Sequence, residues 1–158
     1  GTLKGVKIGF LYPDYAFGQE PIPVLKALAA KEGFELQLYP NPLPGKDQAA
    51  VWTQIRRANP DWVISWNLSA MHVVAAKEAK RKIVIIGYDS GKQQKAAVAS
   101  GDMAGAITQN PVGIGYKTVE AAVKALKGEK LPKIIDTGFY WYDKSNLADP
   151  KIAAVLYD

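Results

Sequence analysis

Short apolar runs and amphipathic helical stretches alternate along this chain, and that rhythm leaves few folds open. Val6–Tyr12 is a continuous apolar run, the pattern of a strand buried on both faces. Pro21–Lys31 follows with Val24, Leu25, Leu28 and Ala29 on one helical stripe and Gly33 just past its end. Phe34–Tyr39 alternates apolar and polar, as a strand near a sheet edge does. Asp47–Ala58 reads as a helix with Asp47 as N-cap, Asp61–Trp66 as a strand, and Ser69–Lys80 as a helix capped by Ser69. Lys82–Ile86 and Met103–Thr108 are further strands, separated by a helix over Gln93–Ala99 that Ser100-Gly101 ends. Gly113–Leu126 is the longest helix and Gly128 closes it. Ile134–Tyr140 is extended, and Ala148–Tyr157 holds a short helix with Asp149 as N-cap and Pro150 in its first position.

Strands that alternate with helices pair in parallel, and right-handed crossovers then cover both faces of the sheet. The expected fold is therefore α/β, a three-layer sandwich around a mainly parallel sheet. The length suits a single α/β domain over residues 1–158. There is no internal repeat, and no stretch of about 18 apolar residues that would span a bilayer. Gly1-Thr2-Leu3-Lys4 leads almost directly into a strand, so no signal peptide is expected. The absence of cysteine excludes disulfides, thiolate metal sites and cysteine nucleophiles. The net charge of +5 is spread over helix faces, as at Lys77, Lys80, Arg81, Lys82, Lys124, Lys127 and Lys130. That is the pattern of solvated helices rather than of a nucleic-acid footprint.

In open α/β sheets, ligands bind beyond the carboxyl ends of the strands. The side chains that fall there are Asp14, Tyr15 and Phe17 after the first strand, and Trp66 and Asn67 after the third. Asp89 follows the fourth strand, and Gln109 and Asn110 the fifth. Carboxylate, amides and flat rings together suit a sugar, whose hydroxyls need hydrogen bonds and whose C–H faces need aromatic surface. An amino acid would instead place its ammonium group on Asp89 or Asp14. Each of these residues also has a structural reading. Asp89 would form a turn or cap, Asn67 would start a helix, Gln109 and Asn110 would satisfy loop backbone, and Tyr15, Phe17 and Trp66 would pack.

The stretch Ile83-Val84-Ile85-Ile86-Gly87-Tyr88-Asp89, with Ala104–Pro111 after it, resembles the sugar branch of the type I periplasmic solute-binding proteins. Residues 82–158 carry that resemblance. Residues 5–80 look like the branched-chain amino-acid branch, on Gly5–Gly18, on Pro44-Gly45-Lys46-Asp47-Gln48 and on Trp52–Asp61. Both halves match the second lobe of that fold, and a seam between them falls near 79–83. The resemblance implies a flavodoxin-like strand order, a periplasmic location and no enzymatic activity. It assigns sugar contacts to Asp89 and Gln109, with Asn67 a looser match, and a ligand-facing aromatic to Phe17. The sugar branch's arginine early in the first helix has no counterpart in Gln19-Glu20-Pro21-Ile22.

These proteins close two lobes over a ligand, and only one is encoded here. The expectation is a lone lobe with weak or lost affinity for a small sugar or amino acid, partnered by a missing first lobe or a second copy. The alternative is a natural or engineered hybrid scaffold without a ligand, self-associating through its exposed cleft face. Neither a cofactor nor a metal is expected. Gly87–Gln93 is one residue short of a phosphate loop, and Gln93 stands where a hydroxyl should hold magnesium. His72, the one histidine, lies among Val73, Val74 and Ala76 and reads as a packed residue.

Overall fold

The computed structural model describes residues 3–45, 47–68, 70–79 and 83–157. Six strands form one sheet in the order β2-β1-β3-β4-β5-β6. They are β1 Lys7–Pro13, β2 Glu35–Asn41, β3 Trp62–Ser65, β4 Val84–Tyr88, β5 Gly105–Gln109 and β6 Phe139–Tyr142. The first five are parallel, and β6 runs antiparallel to β5. The helices are α1 Ala16–Gln19, α2 Ile22–Glu32, α3 Ala49–Ala58, α4 Ala70–Ala79, α5 Lys92–Ser100, α6 Pro111–Leu126 and α7 Pro150–Ala153. The flavodoxin-like order and the edge position of β2 agree with the sequence reading.

The chain steps outward from β1 to β2, then crosses back over β1 to β3 and continues to β5. Right-handed crossovers therefore set α2 on one face of the sheet and α3, α4 and α5 on the other. The main core lies on the second face. There Leu11, Val63, Ile85 and Ala106 of the strands meet Trp52, Ile55, Ala75, Ala76, Ala97 and Val98 of the helices. Tyr142 of β6 joins that layer, and Leu147, Ile152 and Leu156 pack against it.

The opposite face is covered far less. Phe10 and Tyr12 are buried, and α2 packs along β2. No residue of α2 is fully buried, however. Leu25 and Ala29 are half-buried, whereas Val24 and Leu28, expected on the same inward stripe, are exposed. The α6 helix departs further from expectation: none of its residues is buried.

Some boundaries also differ from the sequence reading. The N-cap of α3 is Gln48, not Asp47. Asp47 still accepts a hydrogen bond from the Ala49 amide at 3.1 Å. Gln48 is drawn inward because its amide bridges three groups. Its Nε2 donates to the carbonyls of Gly45 and Met71 at 3.0 and 2.9 Å, and its Oε1 accepts from Trp52 Nε1 at 3.0 Å. The start of α6 is Pro111, whose fixed φ suits a first helical turn, and Asn110 Oδ1 caps it by accepting from the Gly113 amide at 2.9 Å. Residues 134–138 are not strand; only Phe139–Tyr142 pairs with β5. Asp149 caps α7 as expected. Ser69 as a cap, and Lys80, Arg81 and Lys82 at the seam, lie outside the described residues.

Candidate ligand site at the strand ends

The switch point of the sheet lies between β1 and β3, where connections leave in opposite directions. A crevice opens there in folds of this kind. The turn after β1 carries Tyr15 and Phe17, and the turn after β3 carries Trp66. Their rings form a row: Tyr15 to Phe17 at 6.0 Å, Phe17 to Trp66 at 5.4 Å, and Trp66 to Tyr88 at 4.1 Å between centroids. Trp66 Nε1 also donates to the Phe17 carbonyl at 3.3 Å, which ties the two turns together. All four side chains are half-buried, with part of each ring open to solvent. Tyr88 is not legible as a site residue in the sequence because it is the last residue of β4, where alternation alone does not separate a packing aromatic from a facing one.

Asp89 follows β4 and Gln109 ends the neighbouring β5, and they meet. Gln109 Nε2 donates to Asp89 Oδ1 at 3.1 Å. Asp89 adopts a left-handed backbone conformation, φ 70°, which aspartate tolerates better than most residues. The surroundings hold it there. Its amide donates to the Ile107 carbonyl at 2.7 Å. Its own carbonyl accepts from Gln94 Nε2 at 3.1 Å and from the Tyr142 hydroxyl at 2.9 Å. Asp89 therefore does not cap α5, whose N-cap is Gly91. Phenols gather round it. Burial, reinforced by the Asp89 charge, raises the pKa of Tyr88 and of Tyr157. Burial carries Tyr142 up to about 12, against a lowering by its bond to Gln94. All three stay protonated at neutral pH.

Asn67 sits lower. It is buried, and its Nδ2 donates to Ser65 Oγ at 2.8 Å. Its Oδ1 has no hydrogen-bond partner. Ser65 Oγ in turn pairs with His72 Nδ1 at 3.0 Å. His72 is packed, as the sequence suggested, and burial lowers its pKa to about 4. The folded state thus disfavours the imidazolium, while the unfolded chain takes up a proton near pH 6.5. Stability present above pH 6.5 is lost as pH falls towards 4. Each tenfold drop in proton affinity on folding corresponds to about 1.4 kcal/mol, so the loss approaches about 3 kcal/mol. Urea midpoints between about pH 7 and pH 4.5 should fall in the native chain and fall less in His72→Gln. Equal slopes would remove His72 as the cause.

Asn110 does not join the Asp89–Gln109 pair; it caps α6, and its Nδ2 reaches the Thr137 carbonyl at 3.5 Å. Asp14 is exposed and takes a long contact of 3.5 Å from Gln19 Nε2. Trp141 pairs with Ile107 across β5 and β6, level with Tyr88 but one strand removed from it. Among the described residues no cluster of three His, Asp or Glu side chains could hold a metal ion. A separate groove lies between α4 and α5, lined by Val73, Lys77, Gln93 and Ser100, on the helical face rather than at the strand ends.

A periplasmic binding protein domain matches residues 18–130, well over half of the chain. The chain belongs to the periplasmic binding protein family. That match runs through residues 79–83, where the two branch resemblances meet. Among curated relatives, the ribose import binding protein of Haemophilus influenzae is 46% identical over 57 residues, covering 36% of this chain and 20% of that protein. A solved structure described as an ABC transporter, LacI family transcriptional regulator from Brachyspira murdochii is 28% identical. It covers 98% of this chain and 56% of its own, with a TM-score of 0.73. An ABC transporter solute-binding protein from Agrobacterium vitis, bound to α-D-tagatopyranose, superposes with a TM-score of 0.77 over 99% of this chain and 56% of its own. At 24% identity that likeness speaks to the fold. The chain thus spans about a fifth of the curated relative and about half of these structures. These relatives are described as binding or regulatory components of transport systems. No described helix is long and apolar enough to cross a membrane.

Proposed function

We propose that this chain is a sugar-reading lobe of an ABC transporter's periplasmic binding protein, folded as one domain. The Asp89–Gln109 pair carries the reading, held at adjoining strand ends. The Asp89 carboxylate, which also pairs with the Tyr157 hydroxyl, keeps lone pairs that can accept sugar hydroxyls beside the Gln109 side-chain oxygen, while the carboxylate–amide bond fixes both side chains in advance. Preorganisation of this kind lowers the cost of binding. Phe17, Tyr15 and Trp66, extended by Tyr88, supply ring faces for the C–H side of a pyranose or furanose. Asn67 offers a buried amide oxygen below them.

An amino-acid ligand is the second reading, favoured by the resemblance of residues 5–80. Its ammonium group would meet Asp89 or Asp14. Its carboxylate finds less, since the strand-end set of Asp14, Tyr15, Phe17, Trp66, Asn67, Tyr88, Asp89, Gln109 and Asn110 holds no cation. In either case this lobe taken alone contacts one side of the ligand, so on its own it should bind weakly. Residues 5–80 and 82–158 then derive from two branches of the family, joined near 79–83.

A thermal-shift series with pentoses, hexoses and branched-chain amino acids at millimolar concentration tests this. A ligand at about ten times its Kd adds about 1.4 kcal/mol, which for a domain of this size is a rise of about 3–6 °C in Tm. A pentose or hexose should produce that rise, and Asp89→Asn and Gln109→Ala should each abolish it. Asparagine keeps the left-handed backbone at position 89, so its loss would report on charge rather than fold. A shift with leucine or valine alone would replace the sugar reading with the amino-acid one. A cooperative melt that no ligand moves would overturn binding by this lobe alone and leave it a scaffold.

A further inference from the structure

The turn that follows β4 is held by a segment far away in sequence. Ser90 is buried and makes a reciprocal pair with the main chain of Tyr157. The Tyr157 amide donates to Ser90 Oγ at 2.9 Å, and Ser90 Oγ donates to the Tyr157 carbonyl at 3.2 Å. One residue earlier in the turn, the hydroxyl of Tyr142 donates to the Asp89 carbonyl at 2.9 Å. Gln94 Nε2 reaches that same carbonyl and the Tyr142 hydroxyl, at 3.1 and 3.0 Å. Between the two tyrosines the chain is anchored. Asp149 caps α7, Ile152 and Leu156 pack against the main core, and Val155 is buried. Tyr157 therefore reaches the Asp89 turn as a fixed part of the domain.

That clamp brings a phenol to the carboxylate. The Tyr157 hydroxyl pairs with Asp89, whose charge adds to burial in raising the pKa of the phenol. Tyr157 also acts on Tyr88, so it stands within reach of that end of the aromatic row. Gln109 Nε2 already occupies Asp89 Oδ1. A carboxylate accepts about four hydrogen bonds, so two neutral donors leave about two for a ligand. The donors come from two separate elements, β5 and the segment after β6, and together they stop the carboxyl group from turning. The backbone beneath it is fixed in its left-handed conformation, φ 70°, by the bonds from Tyr142 and Gln94.

We propose that Tyr157 is a positioning residue of the ligand site: its hydroxyl, with Gln109, aims the Asp89 carboxylate, and its main-chain pairing with Ser90 keeps that hydroxyl in place. Its effect on binding rests on the sugar reading of Asp89 given above; the contact itself does not. Main chain and hydroxyl have separate tasks here. The bonds to Ser90 use only the backbone of residue 157, so Tyr157→Phe keeps the clamp and deletes one donor. Asp89 then retains Gln109 alone, and a ligand must order a carboxylate that the native chain orders beforehand. The loss appears in binding and not in folding.

Two measurements on the full chain read this. The first needs no ligand. Ring-carbon NMR follows the titration of Tyr157 in the native chain and in Asp89→Asn. A neighbouring negative charge disfavours a phenolate, so removing it should lower the pKa of Tyr157. Tyr39, raised by burial and by Glu35, is the control and should not move. A Tyr157 titration that Asp89→Asn leaves unchanged overturns the contact. The second is calorimetric titration with D-ribose and D-tagatose, sugars named for the relatives above. Tyr157→Phe should weaken binding about tenfold, as for one lost hydrogen bond, with the melt of the unliganded protein unchanged. Ser90→Ala should lower both binding and Tm, and Ser90→Thr, which keeps the hydroxyl, should restore both. Native affinity in Tyr157→Phe overturns the proposal. If neither sugar binds the native chain while Asp89→Asn still lowers the pKa of Tyr157, the sugar reading falls and the hold of Tyr157 on Asp89 stands.

Discussion

Replacing Trp52 with alanine should lower stability by about 3–5 kcal/mol, the usual range for deleting a large buried aromatic. The side chain is fully enclosed between α3 and the sheet, in contact with the main core. Its indole also satisfies Gln48 Oε1, and Gln48 in turn holds the Gly45 and Met71 carbonyls. Removal therefore opens a cavity and strands a buried acceptor, which costs about 1–3 kcal/mol where the structure cannot relax. At about 2–4 °C per kcal/mol for a chain of this length, Tm should drop by roughly 10 °C or more. Trp52→Phe separates the two contributions, because it keeps most of the volume and deletes only the donor. A calorimetric melt of Trp52→Ala within about 1 kcal/mol of the native chain would mean that α3 does not seal this core.

Gly18→Ala should cost about 1–3 kcal/mol, the range for overpacking, and should disturb the candidate site as well. Gly18 lies in α1, buried against the end of β1. A Cβ there would stand closer to the Pro13 carbonyl oxygen than carbon and oxygen can approach. The clash involves backbone, so no side-chain rotation relieves it. The turn from Tyr15 to Gly18 must lift from the strand, carrying Phe17 off Trp66. Near-UV dichroism, which reports the packing of Trp66, should weaken along with Tm, and any ligand shift should shrink. Gly115→Ala is the matched control. It meets nothing within 4 Å in the middle of α6, so helix propensity alone should raise stability by about 0.5–1 kcal/mol. A Gly18→Ala protein with an unchanged near-UV spectrum would show that the aromatic row does not depend on how α1 sits.

Much of the strand-end chemistry is legible in the chain. Asp89, Gln109, Tyr15, Phe17 and Trp66 stand out because an apolar run that stops at a polar or aromatic residue marks where a strand leaves the sheet. Their pairing is not legible. That Gln109 reaches Asp89, or that Tyr88 extends the ring row, follows from β4 lying beside β5, and strand adjacency is not encoded in any local window. Gln48 stays hidden for a similar reason. A glutamine beside an aspartate at a helix start looks like the weaker cap, until a loop and α4 arrive to be bridged.

The sequence by itself determined the order and type of the main elements, the parallel pairing that such an order requires, and which residues terminate each strand. Those follow from local periodicity, from proline and glycine, and from the handedness of crossovers. Tertiary structure alone decided which apolar stripes find a partner. Val24 and Leu28 on α2, and Val112, Tyr116, Val119 and Val123 on α6, carry the pattern of buried faces and stay in water. A hydrophobic stripe states only that a surface must be covered. What covers it depends on which other surfaces lie within reach, and here the reach of α6 is set by one capped residue at the end of β5.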